Sequence, residues 1–192
     1  MDIGRNRSDA VFPATGQPFG ACIWLTGLSG AGKSTTAVAL GTQLTRDGHH
    51  STLLDGDDIR RQLPRSLGYS KADREQNVLR IAALARAAVR RGEIAICAVI
   101  SPYRDARSAA RTVVGQEHFI EVYVDTPLSV CVSRDVKGLY AKACRGELRG
   151  MTGWDDPYEA PLDPDLVLHT TDVTVEDNAS ILVALLRARR LL

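Results

Sequence analysis

The stretch WLTGLSGAGKSTTAV, residues 24–38, decides the fold. A short apolar run ends at Gly27, a loop of small residues follows, and a pattern typical of a helix begins at Lys33. Residues 27–34 match G-x-x-x-x-G-K-[ST], the pattern of a phosphate-binding P-loop. Glycines let backbone N–H groups surround an anion, and the helix that follows presents its positive N-terminal end. We therefore predict a nucleotide-binding loop between a strand and a helix.

This loop predicts ATP as co-substrate and Mg²⁺ as cofactor. Lys33 can reach the β- and γ-phosphates, and the Ser34 hydroxyl can ligate the metal, with Asp57 as a second candidate ligand. The loop residues predicted to bind ATP are Gly27, Leu28, Ser29, Gly30, Ala31, Gly32, Lys33, Ser34 and Thr35.

Apolar strand candidates alternate with helical patterns along the chain. The strand candidates are 22–26, 51–55, 94–100, 119–125 and 165–170, and the helical patterns are 33–46, 72–91, 103–114, 127–135 and 175–190. Apolar strands separated by helices predict an α/β, P-loop NTPase-type three-layer fold, with a five-strand parallel sheet and helices on both faces. We expect one kinase domain over 20–192 after a mobile lead-in at 1–19. The irregular segment at about 137–162 is expected to form a lid.

Composition narrows the class of protein. The chain has 192 residues, a net charge of +1 and 44% hydrophobic residues, which indicates one soluble domain and gives no bulk charge to attract nucleic acid or a membrane. The four cysteines form no C-x-x-C pair, and we expect reduced thiols in a cytoplasmic protein.

A second group of candidate residues follows the second strand. Asp55 and Asp57 lie where a parallel strand ends, at the sheet edge that also carries the P-loop. Either carboxylate can orient an attacking hydroxyl or help to hold Mg²⁺. The third strand ends in Ser101 instead of a metal-binding Asp. Asp55 and Asp57 therefore have to supply the carboxylate that such an Asp would provide. For Asp58 we expect a helix-capping role.

Basic and aromatic residues near these aspartates indicate an anionic, aromatic acceptor. Arg60, Arg61, Arg65 and Arg74 can form bidentate contacts with phosphate or sulfate, and Tyr69 can stack on a base.

The sequence argues against two other classes of function. A GTPase switch would carry D-x-x-G before [NT]-K-x-D, whereas here the nearest fragments, 135–138 and 70–73, come in the opposite order. A nucleotide-binding module without catalysis would lack the acceptor-side residues just described.

Five further stretches resemble a known family. LLDGDDIR (53–60), LGYSKADREQN (67–77), AVISPYRDAR (98–107), RDVKGLYAKACRG (134–146) and MTGWDDPYEAP (151–161) are similar, in the same order, to motifs of the adenylyl-sulfate kinases (APS kinases). The resemblance runs from about residue 20 to residue 188.

The resemblance implies phosphorylation of the 3′-hydroxyl of adenosine 5′-phosphosulfate (APS) by ATP, which gives 3′-phosphoadenosine 5′-phosphosulfate (PAPS) and ADP. It implies that Asp57 orients the hydroxyl, with Lys33 and Ser101 as further catalytic positions. Ser101 matches a serine described in the family as a phosphoserine intermediate, but we expect direct in-line transfer. The implied substrate contacts are Asp55, Asp57, Arg60, Tyr69, Arg74, Asn77, Ile100, Ser101, Lys137, Leu139, Met151 and Thr152.

The same resemblance implies a homodimer and leaves a sulfurylase partner open. For the adenine of ATP, Arg134 and the 170–174 loop are the candidates. Met151 and Trp154 stand where the family has Phe and Ile or Val, and Asp58 and Gln76 stand where it has Asn and Glu. Because Phe would close one side of the APS adenine, a kinase with a different anionic hydroxyl acceptor is the alternative.

Overall fold

The computed structural model describes residues 19–61 and 68–192. Five strands form one parallel sheet: β1 Cys22–Thr26, β2 Ser51–Asp55, β3 Ile94–Ala98, β4 Phe119–Asp125 and β5 Leu166–His169. The helices are α1 Lys33–Arg46, α2 Gly56–Arg61, α3 Lys71–Arg90, α4 Arg104–Val114, α5 Leu128–Arg134, α6 Leu139–Cys144 and α7 Val175–Ala188. A short 3₁₀ turn, Gln116–His118, precedes β4.

The predicted fold class is confirmed. Each of the five strand candidates and five helical patterns corresponds to an element, with ends that differ by two residues or fewer. Helices α2 and α6 were not predicted, because each has only six residues and too few turns to show a period. The 1–18 part of the predicted lead-in and Arg65 lie outside the described residues.

The strand order β2-β3-β1-β4-β5 places β1 in the middle of the sheet. The loop after β1 therefore lies between the ends of β2 and β3 on one side and the ends of β4 and β5 on the other. This arrangement gives the cavity described below its two sides.

Alternating strand residues build two hydrophobic cores. Ile23 and Leu25 face the core completed by α1 and α7, whereas Trp24 faces the core completed by α3 and α4. All three side chains are fully buried. The carboxyl edge of the sheet is thus held rigidly from both faces.

Helix ends follow the local sequence signals. The Ser70 hydroxyl accepts a hydrogen bond from the Asp73 N–H at 3.2 Å and caps α3, as predicted. The capping prediction for Asp58 is wrong: the Asp57 N–H donates to Asp55 Oδ1 at 2.9 Å, so Asp55 caps α2. Asp58 lies in the first turn of that helix, where it pairs with Arg61.

Among residues 19–61 and 68–192, the structure contains no helix with the length and apolar character that a membrane crossing requires.

Candidate active site

A cavity of about 380 Å³ opens at the carboxyl edge of the sheet. It joins the P-loop to the ends of β2 and β3, the start of α3, and the 170–178 region before and within α7. The predicted site residues that line it are Ser29, Gly30, Gly32, Lys33, Ser34, Thr35, Asp55, Asp57, Arg60, Tyr69, Arg74, Asn77, Ile100, Ser101, Arg134 and Lys137. The structure therefore brings most of the predicted residues to one place.

The P-loop owes its shape to two glycines. A Cβ on Gly27 would lie 2.6 Å from the Val124 carbonyl oxygen, so no side chain fits where β1 ends. Gly32 adopts a left-handed φ of 103° directly before α1. The loop can therefore turn tightly and direct its backbone N–H groups toward the helix N-terminus.

Lys33 is held within this loop. Its ammonium group donates to the carbonyl oxygens of Gly27 at 2.9 Å and Leu28 at 2.7 Å. Burial, and next the nearby Lys137 ammonium, lower the pKa of Lys33 to about 8. The residue therefore carries a poorly solvated positive charge, which an anionic phosphate would stabilise.

Two carboxylates stand beside the P-loop with different partners. The Ser34 hydroxyl donates to Asp55 Oδ2 at 2.5 Å, whereas Asp57 forms an ion pair with Lys137 from the predicted lid. Asp57 and Lys137 are both about half exposed, so their pairing is readily exchanged for contacts with a substrate.

The residues present fit a magnesium ion at Ser34 and Asp55. Mg²⁺ is usually held by one or two protein oxygens together with phosphate oxygens and water, and this hydroxyl–carboxylate pair beside the P-loop is such a set. No group of three or more His, Cys, Asp or Glu side chains suited to a metal occurs within the part of the chain that the structure describes. Asp57, our second candidate ligand, is paired with Lys137 instead of Ser34.

Ser101 lies at a strained and tightly bonded position. Its φ is 40°, a left-handed value that is uncommon outside glycine, and its side chain is buried. The hydroxyl accepts from Trp24 Nε1 at 3.1 Å and donates to Thr26 Oγ1 at 3.0 Å. A hydroxyl with both partners in place is poorly prepared to act as a nucleophile.

Arg74 ties the predicted lid to α3. Its guanidinium donates to the Tyr69 carbonyl at 2.8 Å and contacts Thr152 Oγ1 and the Gly150 carbonyl. Because these contacts engage all three guanidinium nitrogens, Arg74 also fixes the position of the segment around Thr152.

Tyr69 and Arg60 form the outer wall on the β2 side. The Tyr69 ring is 65% exposed, and the Arg60 guanidinium carbon lies 4.9 Å from its centroid. An exposed aromatic face beside a cation at a cavity mouth suits an aromatic, anionic ligand.

Asn77 is buried on α3 and lines the same side of the cavity. Its Oδ1 atom has no hydrogen-bond partner in the structure. A buried acceptor of this kind costs about 1–3 kcal/mol unless a donor reaches it, which points to a ligand hydroxyl or amino group.

Three predicted acceptor contacts lie away from the cavity lining. Met151 is 6% exposed and belongs to the hydrophobic core beneath the P-loop, and Leu139 packs against that core. Thr152 is buried and bonded to Arg74. The position of Met151 gives no support to a base-stacking role, and Trp154 is directed to Tyr140, with ring centroids 6.4 Å apart.

Arg134 and the 170–174 loop meet on the opposite side of the P-loop. The Arg134 guanidinium donates to the Thr170 hydroxyl at 2.9 Å and to the Thr170 carbonyl at 2.6 Å. Thr126 and Thr170 each donate to the Ala31 carbonyl at 3.0 Å, which attaches this side of the cavity to the P-loop.

Several lining residues were not predicted from the sequence. Apart from Thr170 and Val173, which also line the cavity, they are Thr36, Gly56, Val78, Ala98, Val99, Pro102, Val136, Val175 and Asn178. Most are small or apolar and carry no chemical signature. Thr170 and Val173 lie within the 170–174 loop that was named as a candidate, but nothing in the sequence pattern distinguishes Asn178.

Comparisons with known proteins identify the family to which the chain is related. A sequence profile of the adenylylsulphate kinase family matches residues 19–169. The adenylyl-sulfate kinase of Halothermothrix orenii is 48% identical over 170 residues, which cover 88% of this chain and 91% of that protein.

Solved structures give the same result. The Mycobacterium tuberculosis APS kinase CysC, in complex with AMPPNP and APS, is 41% identical with a TM-score of 0.85, and the match covers 88% of this chain and 99% of that one. The hexameric APS kinase from Thiobacillus denitrificans is 34% identical with a TM-score of 0.69, covering 92% of this chain and 30% of that one. The chain described here belongs to the adenylylsulphate kinase family.

Proposed function

We propose that this protein transfers the γ-phosphoryl group of ATP to the 3′-hydroxyl of APS and releases PAPS and ADP. The observation that carries the proposal is one cavity that joins a P-loop, two carboxylates and an arginine-flanked aromatic wall. The family membership and the relative that binds AMPPNP and APS support it.

The strand order supports a separate side of the cavity for each substrate. The phosphates of ATP bind at the P-loop in the middle of the sheet edge. Asp55, Asp57 and Ser101 follow β2 and β3, so APS binds on that side. The adenine of ATP then lies on the other side, near Arg134 and Thr170.

The transfer is in-line and direct. The Asp57 carboxylate accepts a hydrogen bond from the attacking 3′-hydroxyl and so orients the hydroxyl oxygen toward the γ-phosphorus. Lys33 and the P-loop N–H groups stabilise the negative charge that develops on the transferring phosphoryl group. Mg²⁺, held by Ser34 and Asp55, would supply further charge neutralisation when bound.

Lys137 links the lid to this step. Its ion pair with Asp57 lies where the acceptor hydroxyl must bind, so the ammonium group shifts toward the phosphates or sulfate when APS enters. We propose that residues 20–192 form one kinase domain and that 137–162 is its lid, which excludes water from the transfer. The bonds between Arg74 and the 150–152 segment hold the lid over the APS side.

The acceptor contacts divide by chemistry. Arg60 and Lys137 balance the phosphosulfate charge, Tyr69 stacks on the adenine of APS, and Asn77 Oδ1 accepts a hydrogen bond from APS. Ser101 fixes the floor of the cavity through its bonds to Trp24 and Thr26.

We also propose a cytoplasmic homodimer. The four cysteines Cys22, Cys97, Cys131 and Cys144 are free thiols, which suits a reducing compartment, and the hexameric relative supports self-association in the family. A sulfurylase that supplies APS is the proposed partner, since APS must come from a reaction that joins sulfate to an adenylyl group. A kinase with another anionic hydroxyl acceptor is the second candidate. Its basis is Met151 in the place of the family's Phe beside the APS adenine, but Met151 lies in the hydrophobic core.

The test is ADP release from Mg·ATP with APS, without an acceptor, and with adenosine 5′-monophosphate. We expect strong stimulation by APS alone. Equal rates in the three reactions, with ATP still bound, would refute APS as the acceptor and leave the nucleotide site intact.

A further inference from the structure

Two residues that line the cavity on opposite sides each carry a buried acceptor without a partner. Across residues 19–61 and 68–192, the buried side-chain polar atoms with no hydrogen-bond partner are Asn77 Oδ1, Asn178 Oδ1 and His118 Nδ1. Both asparagines line the cavity, whereas His118 does not. Asn77 belongs to the proposed APS side, and Asn178 lies on the other side, beyond the P-loop.

The orientation of the Asn178 amide is fixed by its neighbour. Asn178 Nδ2 donates to the His169 carbonyl oxygen at 2.9 Å. Because a carbonyl oxygen can only accept, the nitrogen must face His169 and the oxygen must face away from it. The side chain is 1% exposed, and the residue lines the cavity.

Asn178 lies on the ATP side of the P-loop. It is in the first turns of α7, after the loop whose Thr170 hydroxyl donates to the Ala31 carbonyl. Val173 and Val175 line the same side and offer apolar contact to a planar base, and Arg134 closes it with a planar cation. A phosphate chain that starts at the P-loop leads its base into this region.

We propose that Asn178 is a specificity-determining residue whose Oδ1 accepts a hydrogen bond from the 6-amino group of the donor purine. This inference rests on the proposed function, because it deepens the assignment of that side to ATP. Adenine presents an amino donor at this position of the ring, whereas guanine and hypoxanthine present a carbonyl oxygen. Asn178 therefore favours adenine by meeting its donor and disfavours a 6-oxo base by placing two acceptors together.

The experiment compares Mg·ATP with the Mg complex of purine riboside triphosphate, which lacks only the 6-amino group. Dissociation constants are measured by titration without any acceptor, so the result does not depend on APS turnover. For the unmodified protein we expect ATP to bind about tenfold more tightly, which corresponds to one hydrogen bond to a buried acceptor. Equal affinities would overturn the proposal.

Two variants and one control locate the effect at residue 178. In Asn178→Ala the ratio of the two dissociation constants should fall to about twofold or less, because the acceptor is gone. Asn178→Ser introduces a hydroxyl that can donate to the His169 carbonyl and serves if the alanine variant fails to fold. Ser180→Ala, on the same helix, removes the 2.9 Å hydrogen bond that the Ser180 hydroxyl donates to the Glu176 carbonyl, without touching the amide.

We expect Ser180→Ala to retain the tenfold ratio. A ratio retained in both Asn178 variants would overturn the proposal, as would an equal loss of ratio in Ser180→Ala, since the latter would mean a general disturbance of α7. Failure of APS to stimulate ADP release would refute the proposed function while leaving this binding ratio measurable.

Discussion

Replacing Arg107 with methionine tests how the floor of the cavity is held. The Arg107 side chain is 3% exposed. It donates to the Ser101 carbonyl at 2.7 Å, to the Glu159 carbonyl at 2.7 Å and to the Glu121 carboxylate at 2.6 Å. One buried cation therefore joins the strained loop after β3, the C-terminal part of the proposed lid, and strand β4.

The expected loss of folding stability follows from the charged groups that stay buried after the substitution. Methionine is similar in length, so the change removes charge and donors more than volume. Breaking a buried ion pair costs about 3–5 kcal/mol because the partner charge is left buried. Since Arg111 stays 3.7 Å from the Glu121 carboxylate, we expect the lower end, about 3 kcal/mol.

Thermal unfolding is the assay. For a protein of this size, about 3 kcal/mol lowers the melting temperature by roughly 6–12 °C. The matched control is Arg91→Met, which breaks an exposed pair with Glu93 at 2.7 Å and should cost less than about 1 kcal/mol.

Adding Glu121→Gln to the Arg107 variant should recover part of the loss, because it removes the charge that was left without its partner. If Arg107→Met melts within about 2 °C of Arg91→Met, the reasoning about this buried cation is wrong.

Three further predictions concern the cavity itself. Asp57→Asn should reduce turnover by about 100-fold or more and leave the dissociation constant of ATP within threefold. Asp58→Asn is the neighbouring control. A loss of turnover below tenfold, about 1.4 kcal/mol of barrier, would contradict the role of Asp57. Because burial lowers the pKa of Lys33 to about 8, its ammonium loses the proton as the pH rises through that value. The dissociation constant of Mg·ATP should therefore rise about fivefold or more between pH 7.5 and 9.5, whereas in Lys33→Arg it should not change with pH. A rise of the same size in the arginine variant would exclude Lys33 as the source of the pH dependence. Tyr69→Ala should raise the KM for APS about tenfold and Tyr69→Phe less than threefold, because the ring and not the hydroxyl stacks on the base. An equal rise in KM for the two variants would count against stacking.

The sequence predicted the P-loop and the strand ends because their signals are local. The glycines, Lys33 and Ser34 lie within eight residues, and Asp55 directly follows an apolar run. Parallel strands must end at one edge, so these two groups could be brought together without coordinates.

Other features depend on contacts between distant parts of the chain. The three partners of Arg107 lie 6, 14 and 52 residues away, and no spacing rule connects them. The position of Met151 in a motif predicted a contact with the adenine base of APS, whereas the packing of α6 and the P-loop places Met151 in the core. Asn178 could not be identified because its distinguishing feature, an acceptor without a donor, exists only once the fold is formed.

In the proposed mechanism the phosphoryl group passes directly from ATP to the 3′-hydroxyl of APS. The most direct measurement follows the label from γ-³²P-ATP in the presence of APS and Mg²⁺, with separation of the nucleotides, inorganic phosphate and protein. Direct transfer predicts one labelled nucleotide, formed in equal amount to ADP, from which a 3′-nucleotidase releases all of the label. Label that accumulates as inorganic phosphate, or on the protein at Ser101, would contradict it.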